Sequence, residues 1–237
     1  MTLSVSNLSF SYGEKQALKA VSFSLVPGFA ALLGPNGAGK STLFALLTRL
    51  FTAPGSTIEI AGHDLNATPR RALAALGVVF QQQTLDLELT VHQNLKYFAA
   101  LHGLSGTEAT ARIDRALARL DMGERAGEKV RQLNSGHRRR TEIARALLHD
   151  PQVLLLDEPT VGLDAAARAS ITGHVHQLAQ DGMTVLWATL LTDEIGDDDH
   201  LLILHQGQFI ADGRAGDVAG GHSLKDHFLS VTGDSTA

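Results

Sequence analysis

The chain has 237 residues and a formal net charge of −5, with 44% hydrophobic and 19% charged residues. This composition is typical of a globular protein and excludes a disordered one, and the acidic balance argues against a nucleic-acid partner. The absence of cysteine excludes disulfides, thiolate catalysis and cysteine-based zinc sites. No apolar run reaches the ~18–20 residues of a membrane-spanning helix and the N-terminus lacks a signal pattern, so we expect the chain to stay where it is made.

The first 83 residues predict strands and one helix. Val21, Phe23 and Leu25 alternate with smaller residues, which indicates a half-buried strand. The apolar run at 29–33 predicts a second, fully buried strand that leads into a glycine-rich loop. A helix follows, and its inner face is predicted to carry four leucines: Leu43, Leu46, Leu47 and Leu50.

Residues 84–150 predict helices. Capping boxes are predicted at two helix starts, where Thr90 is followed by Gln93 and Ser105 by Glu108. Asn134 is predicted to cap a third helix. Apolar residues at helical spacing form the inner faces: Ile113, Ala116, Leu117, Leu120, Ile143, Ala144 and Leu147.

Beyond residue 151 strands and a helix alternate again. Strands are predicted at 153–156, 183–188 and 201–204, and a helix at 165–180, a pattern typical of a largely parallel sheet. Gln206 and Gly207 predict the turn of a hairpin. We therefore interpret the chain as a single domain, with an α/β core at 1–83 and 151–213, an inserted helical subdomain at 84–150 and a weakly patterned C-terminal tail at 214–237.

The glycine-rich loop matches the phosphate-binding pattern GxxxxGK[ST]. Its residues are Gly34, Pro35, Asn36, Gly37, Ala38, Gly39, Lys40, Ser41 and Thr42. Glycines let successive backbone N–H groups turn toward a β-phosphate, and the helix that starts near Lys40 directs its positive dipole end at the anion. Lys40 adds a charge for the β- and γ-phosphates, and Ser41 is the candidate ligand for Mg²⁺.

Two carboxylates end the apolar strand at 153–156. Asp157 is placed to hold Mg²⁺ through water, and Glu158 to orient or deprotonate an attacking water. A strand followed by a polar turn would look the same in isolation. The phosphate-binding loop upstream favours the catalytic interpretation.

In order and spacing, these segments resemble the ATP-binding subunits of ABC transporters over about residues 2–213. The loop resembles their Walker A motif, and residues 153–159 their Walker B motif with Glu158 as catalytic glutamate. Tyr12 falls where the family stacks an aromatic ring on adenine. Gln81 falls at the Q-loop glutamine, which reaches the metal and the attacking water. The resemblance thus implies ATP and Mg²⁺ as cofactors, Glu158, Gln81 and Lys40 as catalytic residues, and Ser41, Gln81 and Asp157 as metal-site residues.

The same resemblance implies a site shared between two chains. Asn134, Ser135, Gly136 and His137 fall at the signature motif, and Asp164 at the D-loop. In the family, two subunits meet head to tail, and the signature of one faces the nucleotide of the other. The implied fold is a P-loop ABC ATPase core of α/β type with a small antiparallel β region. The implied partners are a second ATPase subunit, by expectation a second copy of this chain, and a multi-span membrane permease, with the chain on the cytoplasmic face of the cell membrane.

A narrower resemblance is to the subunits that accompany pyrroloquinoline-quinone-dependent alcohol dehydrogenase systems. It depends on residues 77–85, 137–140 and 185–189. This resemblance names no transported substrate.

Several positions depart from the family pattern, and two of them bear directly on hydrolysis. Leu190 stands where the family has a histidine that bonds the γ-phosphate, and leucine cannot donate a hydrogen bond. Losing one such donor commonly costs about 10²–10³ in rate. Ser135 stands where a glycine is expected, and its Cβ narrows the approach of a phosphate, although its hydroxyl is itself a donor. We therefore expect intact ATP binding and slow hydrolysis.

The sequence is compatible with two alternatives to a transport ATPase. A non-transport ABC ATPase of DNA repair or ribosomes usually carries a coiled coil or two cassettes, and this chain shows neither. A nucleotide-binding regulator without useful turnover is suggested by Leu190 and Ser135.

Overall fold

The computed structural model describes residues 1–233, which form two β-sheets flanked by helices. The strands are β1 (Leu3–Tyr12), β2 (Lys15–Leu25), β3 (Gly28–Leu33), β4 (Thr57–Ile60), β5 (His63–Asp64), β6 (Leu76–Val79), β7 (Val153–Asp157), β8 (Thr184–Thr189), β9 (His200–His205) and β10 (Gln208–Arg214). The helices are α1 (Lys40–Leu47), α2 (Pro69–Ala74), α3 (Val91–Leu101), α4 (Gly106–Arg119), α5 (Ser135–Ala146), α6 (Ala165–Gln180), α7 (Ala215–Ala219) and α8 (Leu224–Thr232).

The larger sheet has the strand order β10-β9-β3-β8-β7-β6. All its neighbours pair in parallel except β10, which returns antiparallel to β9 through the predicted hairpin. Helices cover both faces of such a sheet, so its central strands are apolar along their whole length. Every residue of β7 and β8 is buried. The predicted α/β fold with a largely parallel sheet is confirmed.

The smaller sheet is antiparallel, with the order β2-β1-β4-β5. The alternation predicted for β2 is confirmed, because Val21, Phe23 and Leu25 are buried while the residues between them are exposed. The inward side chains pack with those of α1 and one face of the larger sheet in a single apolar cluster. This sheet is the expected antiparallel β region.

Residues 84–150 contain α3, α4 and α5, which pack with α6 and the other face of the larger sheet. The capping box at Thr90 is confirmed, since its side chain accepts from Gln93 N at 3.1 Å and its own N–H donates to Gln93 Oε1 at 2.9 Å. The prediction of a capping box at Ser105 is wrong. Ser105 precedes α4 but makes no side-chain cap bond, because Gly106 has φ +58° and turns the following amides away from the hydroxyl.

One further prediction needs correction. Leu50 lies beyond the end of α1 and is 65% exposed, because the helix stops at Leu47 and Arg49 has φ +59°. The weakly patterned segment after β10 contains α7 and α8, with Ser223 capping α8 and Phe228 packed into the core; residues 234–237 of the predicted tail lie outside the described residues. Within residues 1–233, no helix is long and apolar enough to cross a bilayer.

Candidate functional site

The carboxyl edge of the larger sheet brings together the predicted phosphate-binding loop, the two carboxylates and Gln81. In register, Leu33 at the end of β3 pairs with Thr189 of β8, and Asp157 at the end of β7 pairs with Ala188. The segments that follow these strands, beginning at Gly34, Glu158 and Leu190, therefore leave the sheet side by side. Carboxyl ends of parallel strands are where ligands bind in open α/β folds.

The loop between β3 and α1 follows a path that only glycine tolerates at two positions. A Cβ on Gly34 would lie 2.4 Å from Leu204 O, and a Cβ on Gly39 2.8 Å from Ala17 O. Gly39 also has φ +116° and caps α1 without a side-chain bond. The first residues of α1 line the cleft, where the positive end of the helix suits a bound phosphate.

Lys40 is buried at the floor of this loop, with 5% exposure. Its ammonium donates to Gly34 O at 2.6 Å and lies 3.4 Å from Glu158 Oε1. Burial lowers the pKa of Lys40, and the carboxylates of Glu158 and Asp157 oppose that shift. A buried cation beside a ring of amides is a strong anion site.

Asp157 supplies a buried carboxylate with an unused acceptor, since its Oδ1 has no hydrogen-bond partner. Burial and the neighbouring Glu158 raise the pKa of Asp157, while Lys40 and the Ser41 hydroxyl beside it act in the opposite direction. A carboxylate and a hydroxyl are hard oxygen donors of the kind that Mg²⁺ prefers. The residues present therefore fit a magnesium ion.

Glu158 is held toward the cleft by its backbone. It has φ +47°, a left-handed conformation that costs a non-glycine residue about 1–3 kcal/mol. Its N–H nonetheless donates to Ala188 O at 2.9 Å, and its carboxylate accepts from Gln81 Nε2 at 3.2 Å. The structure thus brings together Lys40, Gln81 and Glu158, which lie far apart in sequence.

The cleft above these groups has a volume of about 440 Å³. Tyr12 lies at one end, 48% exposed, with its hydroxyl 3.4 Å from Thr42 Oγ1 and its ring edge-on to Phe10 at 5.0 Å. An exposed aromatic face at this place suits a nucleobase.

Six lining residues of this cleft were missed in the sequence: Lys15, Gln16, Ala17, Lys19, Gln206 and Gly207. The turn at Gly207 was recognised only as part of a hairpin, yet its N–H donates to Ala38 O at 3.0 Å and its O accepts from Lys19 N at 2.8 Å. The pairing of β9 with β3, which brings the turn here, leaves no local sequence signal.

The predicted signature residues lie in a second hollow, of about 250 Å³. It is lined by Asn134, Gly136, His137, Arg140, Asp164, Ala166 and Ala167. Asn134 caps α5 by accepting from His137 N, and Asp164 caps α6 by accepting from Ala167 N, both at 2.8 Å. Ser135 is exposed beside this hollow. No residue that lines this hollow also lines the cleft around Lys40, so the two halves of the predicted site are separate surfaces of one chain.

Leu190 is half-buried and directly follows β8. No histidine lines the cleft around Lys40 among the described residues. His174 and His176 point to different faces of α6: His174 contacts Asp121, and His176 contacts Asp199 and stacks on Phe29. No cluster of three or more metal-ligating side chains occurs in the described part of the chain.

The chain is similar in sequence to known proteins over most of its length. The family model described as ABC transporter matches residues 18–161. The linearmycin resistance ATP-binding protein LnrL of Bacillus subtilis is 35% identical over 240 residues, covering 99% of this chain and 76% of that protein. The Nod factor export ATP-binding protein I of Rhizobium meliloti is 38% identical over 216 residues, covering 90% and 64%.

The fold is also shared with solved structures. The ATP-binding subunit of an ABC transporter superposes with a TM-score of 0.84 at 27% identity, over 98% of this chain and 100% of that one. Together with the phosphate-binding loop and the carboxylates at the sheet edge, these matches show that the chain belongs to the ABC transporter family, as an ATP-binding subunit built on the ABC ATPase domain.

Proposed function

We propose that two copies of this chain bind Mg²⁺ and ATP between them and hydrolyse ATP slowly to drive a membrane permease. The observation that carries this proposal is the meeting of Lys40, Asp157, Glu158 and Gln81 at one sheet edge. Amides of the loop and Lys40 hold the phosphates, and Tyr12 offers its ring to adenine. Glu158 accepts the proton of the attacking water, and Gln81 orients that carboxylate.

The metal would be held by Ser41 and Asp157, and we assign Gln81, which donates to Glu158, as a further residue of the metal site. When bound, Mg²⁺ neutralises charge on the phosphates during transfer. The unused Asp157 Oδ1 supports this assignment.

The second copy would complete the site from the hollow at Asn134 and Gly136. The N-terminus of α5 lies at this hollow, and its first backbone N–H groups can donate to the γ-phosphate held by the other copy. Asp164 lies in the same hollow, which supports its role at the interface.

A permease would dock along the chain from the Q-loop to the end of α3. Four large apolar side chains are exposed there: Phe80, Leu87, Tyr97 and Leu101. Exposed large apolar side chains within one segment of the chain suit a partner surface. We propose that the chain, docked in this way, lies at the cytoplasmic face of the cell membrane. The names of the relatives, resistance and Nod factor export, favour export over import. The narrower resemblance to subunits of pyrroloquinoline-quinone systems stays a prediction.

Slow hydrolysis is inferred from Leu190. It follows β8 beside the phosphate-binding loop and offers no donor to the γ-phosphate. We expect Leu190→His to raise steady-state turnover at least about tenfold, because one preorganised donor is commonly worth 10²–10³ in rate.

The measurement is Mg²⁺-dependent phosphate release by the native chain, Leu190→His and Glu158→Gln. Glu158→Gln is the control, since it keeps a side chain of the same size but removes the base and should abolish turnover while leaving ATP binding. An unchanged rate in Leu190→His would contradict the inference about hydrolysis. Turnover that survives Glu158→Gln would overturn the assignment of the catalytic base.

A further inference from the structure

Three charged side chains lie buried on the inner face of α5, the helix that begins at the signature segment. Arg139 is 4% exposed, Glu142 1% and Arg145 9%. Burying a charge is costly unless it is paired and its hydrogen-bonding groups are used. The partners of these side chains therefore indicate what they hold in place.

Arg139 is bonded to the backbone of the Q-loop, which we define as residues 80–84. Its Nη1 donates to Phe80 O and to Glu142 Oε2, both at 2.8 Å, and its Nη2 donates to Gln81 O at 2.8 Å. A planar guanidinium can serve two successive carbonyls and a carboxylate at once, and lysine cannot.

The other two charges hold the far end of the Q-loop. Glu142 accepts from Thr84 N at 2.8 Å, and Arg145 donates to Thr84 Oγ1 at 2.8 Å. Burial raises the pKa of Glu142 and lowers the pKa of Arg139, while each side chain opposes the shift of the other. The Q-loop is thus attached to α5 at both ends.

We infer that Arg139 is a positioning residue that makes Gln81 follow the movement of the signature segment. An α-helix is stiff, and residues 134 and 139 lie less than two turns apart on it. When residues 134–137 shift, Arg139 must carry the backbone of Gln81 with it or lose two charge-assisted hydrogen bonds.

The consequence concerns the catalytic carboxylate, because the Gln81 side chain donates to Glu158 at 3.2 Å. When the nucleotide of the second copy contacts the signature segment, α5 would shift. Arg139 would then move Gln81 and so change the position of its side chain relative to Glu158. The inference rests on the proposed ATP hydrolysis and names a residue outside the nucleotide contacts that couples the two surfaces.

The test compares Arg139→Gln with Arg145→Gln. Both changes remove one buried charge from the same helix, but Arg145 makes no bond to residue 80 or 81. We expect Arg139→Gln to lower kcat roughly tenfold, the size of a typical coupling effect, with the KM for ATP changed less than about twofold.

In a Gln81→Ala background, Arg139→Gln should cause no further loss of kcat. Arg145→Gln should instead change kcat by the same factor with or without Gln81. Arg139→Lys keeps the charge but not the planar guanidinium, so its kcat should lie between those of the native chain and Arg139→Gln. This variant replaces Arg139→Gln in the test if Arg139→Gln does not fold.

A second measurement does not depend on turnover. Hydrogen exchange by mass spectrometry should show faster exchange at residues 80–84 in Arg139→Gln, with residues 34–42 unchanged. Equal losses of kcat with and without Gln81, or unaltered exchange at 80–84, would overturn the inference. A different outcome is faster exchange at 80–84 in Arg139→Gln, with no ATP hydrolysis by the native chain or by Leu190→His. This result would support the role of Arg139 and overturn the proposed function.

Discussion

At the scale of single residues, the buried carboxylate of Glu194 links strand β8 to the segment after the catalytic carboxylates. Glu194 is 4% exposed and accepts from Trp187 Nε1 at 3.0 Å, from Thr189 Oγ1 at 2.5 Å and from Thr160 Oγ1. Three donors satisfy its charge without a cation. Thr160 closely follows Glu158 in the chain. The Glu194 carboxylate therefore also stabilises the edge of the sheet where ATP is proposed to bind.

We expect Glu194→Ala to lower the free energy of unfolding by about 3 kcal/mol or more, because it leaves buried donors unpaired and opens a cavity. Urea unfolding followed by circular dichroism measures the change. The matched control is Glu88→Ala, which removes a 66% exposed carboxylate near Lys129 and Arg131 and should cost less than about 1 kcal/mol. Similar losses for both variants would contradict this account.

At the scale of elements, helix starts show how far a local pattern can be trusted. Thr90 and Ser105 both precede a helix and both have a partner of the right type three residues later. Only Thr90 makes the paired hydrogen bonds of a capping box. The difference arises at Gly106, whose positive φ changes the direction of the chain at the start of α4.

This contrast predicts unequal effects of two similar substitutions. Thr90→Ala should destabilise the protein by about 1 kcal/mol, since it removes the acceptor of an N-terminal amide, and Ser105→Ala should change stability by only a few tenths. Thermal unfolding of the two variants beside the native chain gives both values. A loss at Ser105 as large as that at Thr90 would mean that its hydroxyl caps α4 in solution.

At the scale of the whole molecule, the cleft around Lys40 and the hollow around Asn134 share no lining residue. One chain therefore presents two incomplete halves of the site that the family resemblance implies. A head-to-tail pair of chains would place each half against its complement, with two nucleotides buried between them.

We expect Glu158→Gln to form a dimer in the presence of Mg²⁺ and ATP, because the bound nucleotide bridges the two chains and is not consumed. Size-exclusion chromatography with light scattering gives the mass directly. Lys40→Ala is the control, since loss of the buried ammonium should weaken ATP binding and leave a monomer. A Glu158→Gln variant that binds ATP but stays monomeric would contradict pairing with its own kind and favour a different second ATPase subunit.

Features that depend on short segments could be predicted from the sequence. Glycines and a lysine at set spacing predict a phosphate-binding loop, an apolar run predicts the buried strand β7, and the alternation of strands and helices predicts the sheet. These signals are local because backbone geometry and burial impose them on neighbouring residues.

Contacts between residues that lie far apart in the chain become visible in the three-dimensional structure alone. Sequence alone does not show that Lys40 contacts Glu158, that Arg139 holds the Q-loop, or that Gly207 closes the phosphate-binding loop against Ala38. The same holds for α8, whose weak pattern is overridden by the packing of Phe228. Such contacts arise from strand order and helix packing, which depend on the free energy of the whole core rather than on any one segment.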